Sequence, residues 1–267
     1  MSPAVYARCL WGILWREGLR FVHQRERFVA ALVRPLVWLV VFAAGFRAAL
    51  GVSIIPPYET YITYETYIVP GLVGMVQLFN GMQTSLSLVY DREVGSMRVL
   101  LTSPLPRWFL LVSKLIGGCA VSVLQVYVFL VSAWLFGVDL PLAGCIALLP
   151  VLLITGTMLG AFGLVLSSTI HQLENFAGVM NFVIFPMFFL SSALYPLWKI
   201  QESSVLLYRI CSYNPFTHAV ELIRFTLYME WNGAALAWTV GTLAIFLVIA
   251  IVAYDPKRSM IRSRGGV

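Results

Sequence analysis

The sequence predicts an all-α integral membrane protein: an N-terminal amphipathic helix at the interface, then six transmembrane helices. Three observations carry that expectation. Of the 267 residues, 60% are hydrophobic and 11% charged, whereas soluble domains hold about 45–50% apolar and about 25% charged residues. Stretches free of Asp, Glu, Lys and Arg recur at the roughly 20-residue length that crosses a bilayer. Lys and Arg collect mainly in three segments that alternate with segments poor in them, as expected of one membrane face. With a mean hydropathy of +0.86, too little polar surface remains to cover a globule. A soluble enzyme, a disordered chain and a nucleic-acid-binding domain are excluded. The net charge of +6 belongs to loops on one side of the membrane.

Residues 1–27 come first. Tyr6, Leu10, Ile13, Leu14 and Phe21 recur at helical spacing, Arg8, Arg16, Arg20 and Arg27 fall mainly opposite, and Trp11 and Trp15 flank the apolar face. This is the pattern of a basic helix lying in the cytoplasmic interface; a plain charged tail is the alternative. Arg8, Arg16, Glu17 and Arg20 leave no apolar core for a cleavable signal peptide.

A transmembrane domain is expected over 28–267, with spans at about 28–49, 68–90, 109–136, 142–168, 175–196 and 231–254. All must be helical, because an open sheet edge cannot sit in lipid. The first span is the weakest, since it contains Arg34 just before Pro35; Arg34 is expected to snorkel back to the headgroups. Basic residues collect in the first 27 residues, in 91–114 and in the tail from Lys257 to Arg264, while 48–67 and 139–141 have none. With six spans, the positive-inside rule therefore puts both termini in the cytoplasm. Arg47, at the outer end of span one, and the turn Thr169–Glu174, which lacks Lys and Arg, fit this less well.

Between spans two and three, Val94, Met97, Leu100 and Leu101 make an apolar stripe, and Pro104 and Pro106 end any helix there. Such a stripe needs a cover, either the lipid interface or a partner's groove. The run Asp91-Arg92-Glu93-Val94-Gly95-Ser96-Met97-Arg98 to Leu100-Leu101-Thr102-Ser103-Pro104-Leu105-Pro106-Arg107, with Lys114 beyond it, resembles the coupling-helix region of ABC-2-type (type V) exporter permeases. Phe185-Pro186-Met187-Phe188-Phe189-Leu190-Ser191-Ser192-Ala193-Leu194-Tyr195-Pro196 resembles the family's span-five motif, with Ser192 where Gly is usual. Asn214-Pro215-Phe216-Thr217, then Glu221 and Arg224, resemble its N-P-x-T…E-x-x-R. The likeness is to drug-export and nodulation-factor-export subunits and extends over nearly the whole chain.

The resemblance implies a permease subunit, in the bacterial cytoplasmic (inner) membrane, that moves an amphiphilic drug, lipid or lipo-oligosaccharide out of the cytoplasm. A polysaccharide is the alternative cargo. It implies a pair of P-loop ABC ATPase subunits and a second permease copy as partners, with ATP and magnesium bound by the ATPase rather than by this chain. Asp91, Arg92, Glu93, Gly95, Ser96, Arg98, Leu100, Ser103 and Pro104 would form the ATPase-coupling surface. The segment 199–230 would supply re-entrant outer helices, with Asn214, Pro215, Glu221 and Arg224 as an outer gate. Spaced three apart, Glu221 and Arg224 can pair on one helix face, as a gate or as a structural hairpin. Phe185, Met187, Phe188, Phe189, Ser191 and Tyr195 would line the path or pack as core.

One part stands without the resemblance. The three lysines, Lys114, Lys199 and Lys257, are followed by Leu, Ile and Arg, so no G-x-x-x-x-G-K-[ST] phosphate loop is present. If transport is ATP-driven, another polypeptide hydrolyses the ATP. A secondary transporter needs acids or His at mid-membrane, and the five clearest spans hold no acid in their interiors. Cys9, Cys119, Cys145 and Cys211 form no C-x-x-C pair, and His23, His171 and His218 are scattered, so no metal or catalytic cluster can be drawn. Tyrosine recurs every three residues at Tyr58, Tyr61, Tyr64 and Tyr67; this predicts anchoring at the membrane interface or contact with the cargo. Gly156 and Gly160 permit close helix contact.

Overall fold

A computed structural model describes residues 3–23, 25–46, 56–58, 62–93, 106–170 and 172–253. Regular structure among them is helical. The helices are α1 (Pro3–His23), α2 (Arg25–Phe46), α3 (Tyr64–Glu93), α4 (Arg107–Leu135), α5 (Leu142–Thr169), α6 (Leu173–Phe189), α7 (Leu197–Ser203), α8 (Val205–Tyr213), α9 (Pro215–Leu227) and α10 (Gly233–Ala253).

Prolines and polar caps set the boundaries. Pro106, Pro141 and Pro196 precede α4, α5 and α7 in extended backbone. Ser204 caps α8 by accepting from the Leu207 N–H at 3.4 Å. After α4, Gly137 adopts φ +88°. Its N–H reaches the Trp134 carbonyl at 2.9 Å and the Val138 N–H reaches the Ala133 carbonyl at 3.2 Å. This is a Schellman turn, which requires a left-handed residue and so favours glycine.

Helix α3 is the centre of the bundle, in contact with α2, α4, α5, α6 and α9. Its Ile68, Val69, Leu72, Val73, Leu78 and Met82 are wholly buried or nearly so. Glycine brings α3 and α5 together: a Cβ on Gly81 would lie 2.9 Å from the Gly160 nitrogen, and one on Gly163 would lie 3.0 Å from the Gly81 carbonyl oxygen. Beside that crossing, Gln77 donates to the Leu152 carbonyl at 2.7 Å and accepts from Thr155 at 2.7 Å. A buried amide in an apolar bundle is tolerated when so satisfied.

Three helices are long and apolar enough to cross a membrane among the described residues, over Trp108–Leu135, Leu142–Thr169 and Gly233–Ala253. The others fall short for visible reasons. Helix α2 is interrupted by Arg34 and Pro35, with Val33–Phe42 as its described apolar stretch, and α6 has 17 residues. Helix α3 has 30 residues but carries Gln77, Asn80, Gln83, Thr84, Ser85 and Ser87. The span expected over 175–196 is helical only to Phe189, because Asn214 captures the carbonyls of Met187 and Leu190 and the chain turns there.

Helix α1 lies against α4. Tyr6 meets Phe109 edge-on at 4.9 Å, and the Glu17 side chain covers Gly117. Trp11 and Trp15 are 67% and 61% exposed and stack on each other.

Candidate functional site

The residues expected to couple to an ATPase begin at the end of α3. Gly95, Ser96, Arg98, Leu100, Ser103 and Pro104 lie outside the described residues, as does the Arg92 side chain. The flanks are described. Asp91 is buried and takes a hydrogen bond from the Lys114 ammonium at 2.6 Å. Asp91, expected in the coupling surface, closes a pair with Lys114 of α4. Glu93 is exposed, and its Oε2 accepts from the Leu173 N–H at 3.3 Å. That N–H is one of the unpaired donors at the start of α6, where a carboxylate is favoured. Glu93 thus ties the approach to residues 94–105 to the first turn of α6.

The second constellation is built on α9. Asn214 is its cap: Oδ1 accepts from the Phe216 N–H at 3.0 Å, while Nδ2 donates to the carbonyls of Met187 at 2.8 Å and Leu190 at 2.7 Å. Pro215 occupies the first turn, where a missing N–H costs nothing. Thr217 and His218 reach back to the carbonyls of Cys211 and Ser212 at 2.7 and 2.9 Å. One short stretch therefore pins the ends of α6, α8 and α9 together.

Two turns along α9, Arg224 is 2% exposed. It donates to Glu221 and, through Nη2, to the Ser192 carbonyl at 2.8 Å. Its guanidinium also lies over the Tyr67 ring, 4.2 Å from the centroid. Burial opposes the charge, but the Glu221 carboxylate, Tyr67 and Tyr58 together outweigh it and the Arg224 pKa is raised. The Tyr67 hydroxyl donates to the same Ser192 carbonyl at 3.0 Å, and that of Tyr64 to the Leu194 carbonyl at 3.0 Å. Tyr58 packs edge-on against Tyr228 at 4.6 Å; burial pushes its phenol up to about 12.

These positions correct the expected role of the tyrosine repeat as interface anchors. Tyr58, Tyr64 and Tyr67 are buried, at 4%, 2% and 1% exposure. They wall the chamber that holds Arg224; Tyr61 lies outside the described residues. Period three gave the signal, but not which side of the rings met protein. Ser192, in the place usual for Gly, is fully buried with its hydroxyl unpartnered among the described residues, while close approach falls to Gly71, whose Cβ would lie 2.5 Å from the Ala193 oxygen.

The expected path residues divide. Phe188 and Ser191 are fully buried, and the Ser191 hydroxyl donates to the Phe188 carbonyl at 2.6 Å; both are core. Phe185 and Phe189 remain 39% and 41% exposed, and Met187 and Tyr195 are half-buried. The Arg34 guanidinium covers the Phe79 ring of α3 at 3.8 Å. Among the described residues no group of His, Cys, Asp and Glu could hold a metal ion.

Comparison with known proteins gives a consistent result. The family profile described as ABC-2 type transporter matches residues 8–228. The Escherichia coli (strain K12) protein named "Probable multidrug ABC transporter permease YbhR" is 28% identical over 211 residues, 78% of this chain; this chain spans 55% of that relative's length. Nodulation protein J of Rhizobium leguminosarum bv. viciae is 23% identical over 241 residues, 90% of each chain. The daunorubicin resistance ABC transporter permease protein DrrB1 of Streptomyces coeruleorubidus is 23% identical over 253 residues, 92% of this chain and 86% of its own.

Proposed function

The chain belongs to the ABC-2 type transporter family, and from that premise we propose that it is the membrane-spanning permease subunit of an exporter driven by a separate ATPase. The family match over residues 8–228 is the observation that carries this reading. The cargo proposed is an amphiphile, in keeping with relatives named for multidrug transport, nodulation and daunorubicin resistance. Helices α2, α3, α4, α5, α6 and α10 would be the six spans, with α1 in the cytoplasmic interface and α7 to α9 on the outer side. The setting would be a bacterial cytoplasmic membrane, with two permease copies and two ATPase subunits forming the transporter.

In this reading, residues 94–105 engage the ATPase. Closure of the nucleotide sites moves the Glu93 end of α3, and the Glu93–Leu173 contact passes that movement to α6. At the other end of α6, Asn214 and the Arg224 chamber hold α9 to the turn at 190–195. The outer helices therefore follow α6 as one body.

The test is capture of the tagged chain from its native membranes in mild detergent, with mass spectrometry of what accompanies it. A P-loop ATPase in equimolar amount, lost on Glu93→Arg, is the expected result. Its absence across several detergents and crosslinkers would overturn the reading.

A further inference from the structure

Arg34 is a charged residue inside the otherwise apolar part of α2. It lies seven residues past Arg27, about 10 Å along α2, and its guanidinium rests on Phe79 in the middle of α3. It is exposed on the chain surface. Among the described residues no hydrogen bond or ion pair reaches it. Among the described residues, the middle turns of α2, α3 and α6 contain no Asp or Glu. An ionisable residue within a membrane helix is costly to keep there, and such residues are rare and mark functional sites such as substrate pathways.

Its surroundings supply the rest of a site. Trp38 is one turn further along the same edge of α2, half-buried. It meets Phe189 at 6.0 Å and Phe188 at 6.4 Å across to α6, and Phe189 stacks on Phe185 at 6.3 Å. Phe185 and Phe189 keep large exposed faces. A lone cation thus stands at one end of a partly exposed aromatic track.

We propose that Arg34 and the track Trp38–Phe189–Phe185 form a binding site for a transported amphiphile with an anionic headgroup, phosphate or carboxylate, whose apolar chain lies on the aromatic rings. The guanidinium offers a planar fork of N–H donors that matches such an anion. Phe79 lies against the guanidinium, and no hydrogen bond from the described residues occupies its N–H groups. The proposal names the cargo class for the exporter described above and rests on that reading.

The site is tested by equilibrium binding to the purified chain in phosphatidylcholine nanodiscs, with radiolabelled dodecyl phosphate and dodecyltrimethylammonium as probes. Dodecyl phosphate is expected to saturate and to bind more tightly than the cationic probe. Arg34→Gln should weaken it roughly tenfold or more, and Arg34→Lys about threefold, since a point charge replaces the fork. Trp38→Ala should weaken both probes alike. Equal affinity of the Arg34→Gln chain for dodecyl phosphate, or no preference for phosphate over ammonium, would overturn the site. Displacement of the probe by a small fraction of phosphatidylglycerol in the disc would assign it to bulk lipid instead of cargo. A changed oligomeric state on Arg34→Gln would assign it to a second subunit. The measurement needs no ATPase. Arg34-dependent binding by a chain that captures no ATPase would therefore leave the site standing and remove the exporter reading.

Discussion

Arg224 combines a full charge with 2% exposure, and such a group persists only when paired and hydrogen-bonded. Glu221 supplies the countercharge, the Ser192 carbonyl a hydrogen bond and Tyr67 a π face. Removing the cation strands a partly buried carboxylate and two inward-facing polar groups. Arg224→Ala should therefore destabilise the fold by on the order of 3 kcal/mol, read as a lower melting temperature in detergent. Arg209→Ala, on an exposed part of α8, should change it by less than about 0.5 kcal/mol. Equal melting temperatures for the two variants would contradict the buried pair. The Glu221–Arg224 pairing was legible in the sequence because a spacing of three fixes which side chains meet on a helix. The tyrosines around it were not, because a periodic ring pattern is the same whether the rings face lipid or another helix. The third partner, a backbone carbonyl 32 residues away, leaves no mark in residue identities at all.

At the scale of elements, helix ends were the more legible part, since Pro106, Pro141, Pro196 and Asn214-Pro215 each mark a start. The approach of α5 to α9 was hidden, because a single glycine in an apolar run has many readings. Gly144 carries that approach: a Cβ there would lie 1.7 Å from the Leu227 carbonyl oxygen, which is backbone and cannot rotate away. Gly178, in α6, has nothing within 4 Å of its added Cβ. Gly144→Ala should separate α5 from α9 at a cost of about 1–3 kcal/mol, whereas Gly178→Ala should gain up to about 1 kcal/mol of helix propensity. Thermal unfolding of the two single variants decides this. A Gly144→Ala chain as stable as the parent would mean that α9 does not sit against α5 as described.

Across the whole molecule, the pieces on either side of residues 94–105 are clamped before that segment begins. Asp91 closes α3 onto Lys114 of α4, with the two side chains 12% and 4% exposed. Glu17 of α1 packs on Gly117, three residues further along α4. The feet of the segment are thus fixed to each other and to α1. Lys114 was visible in the sequence only as a lysine beyond two prolines; its partner became apparent once α3 and α4 were antiparallel neighbours. Asp91→Asn leaves a buried ammonium without its countercharge, which costs on the order of 3 kcal/mol, and should lower both stability and export. Lys114→Asp should do the same through two facing carboxylates. The exchanged double variant, Asp91→Lys with Lys114→Asp, restores opposite charges across the same gap. If the pair is a clamp, the double variant should recover melting temperature and export well beyond either single variant, a coupling that a double-mutant cycle measures directly. If instead Asp91 or Lys114 touches the ATPase itself, stability should return in the double variant while export stays lost, because the charge presented to the partner would still be reversed.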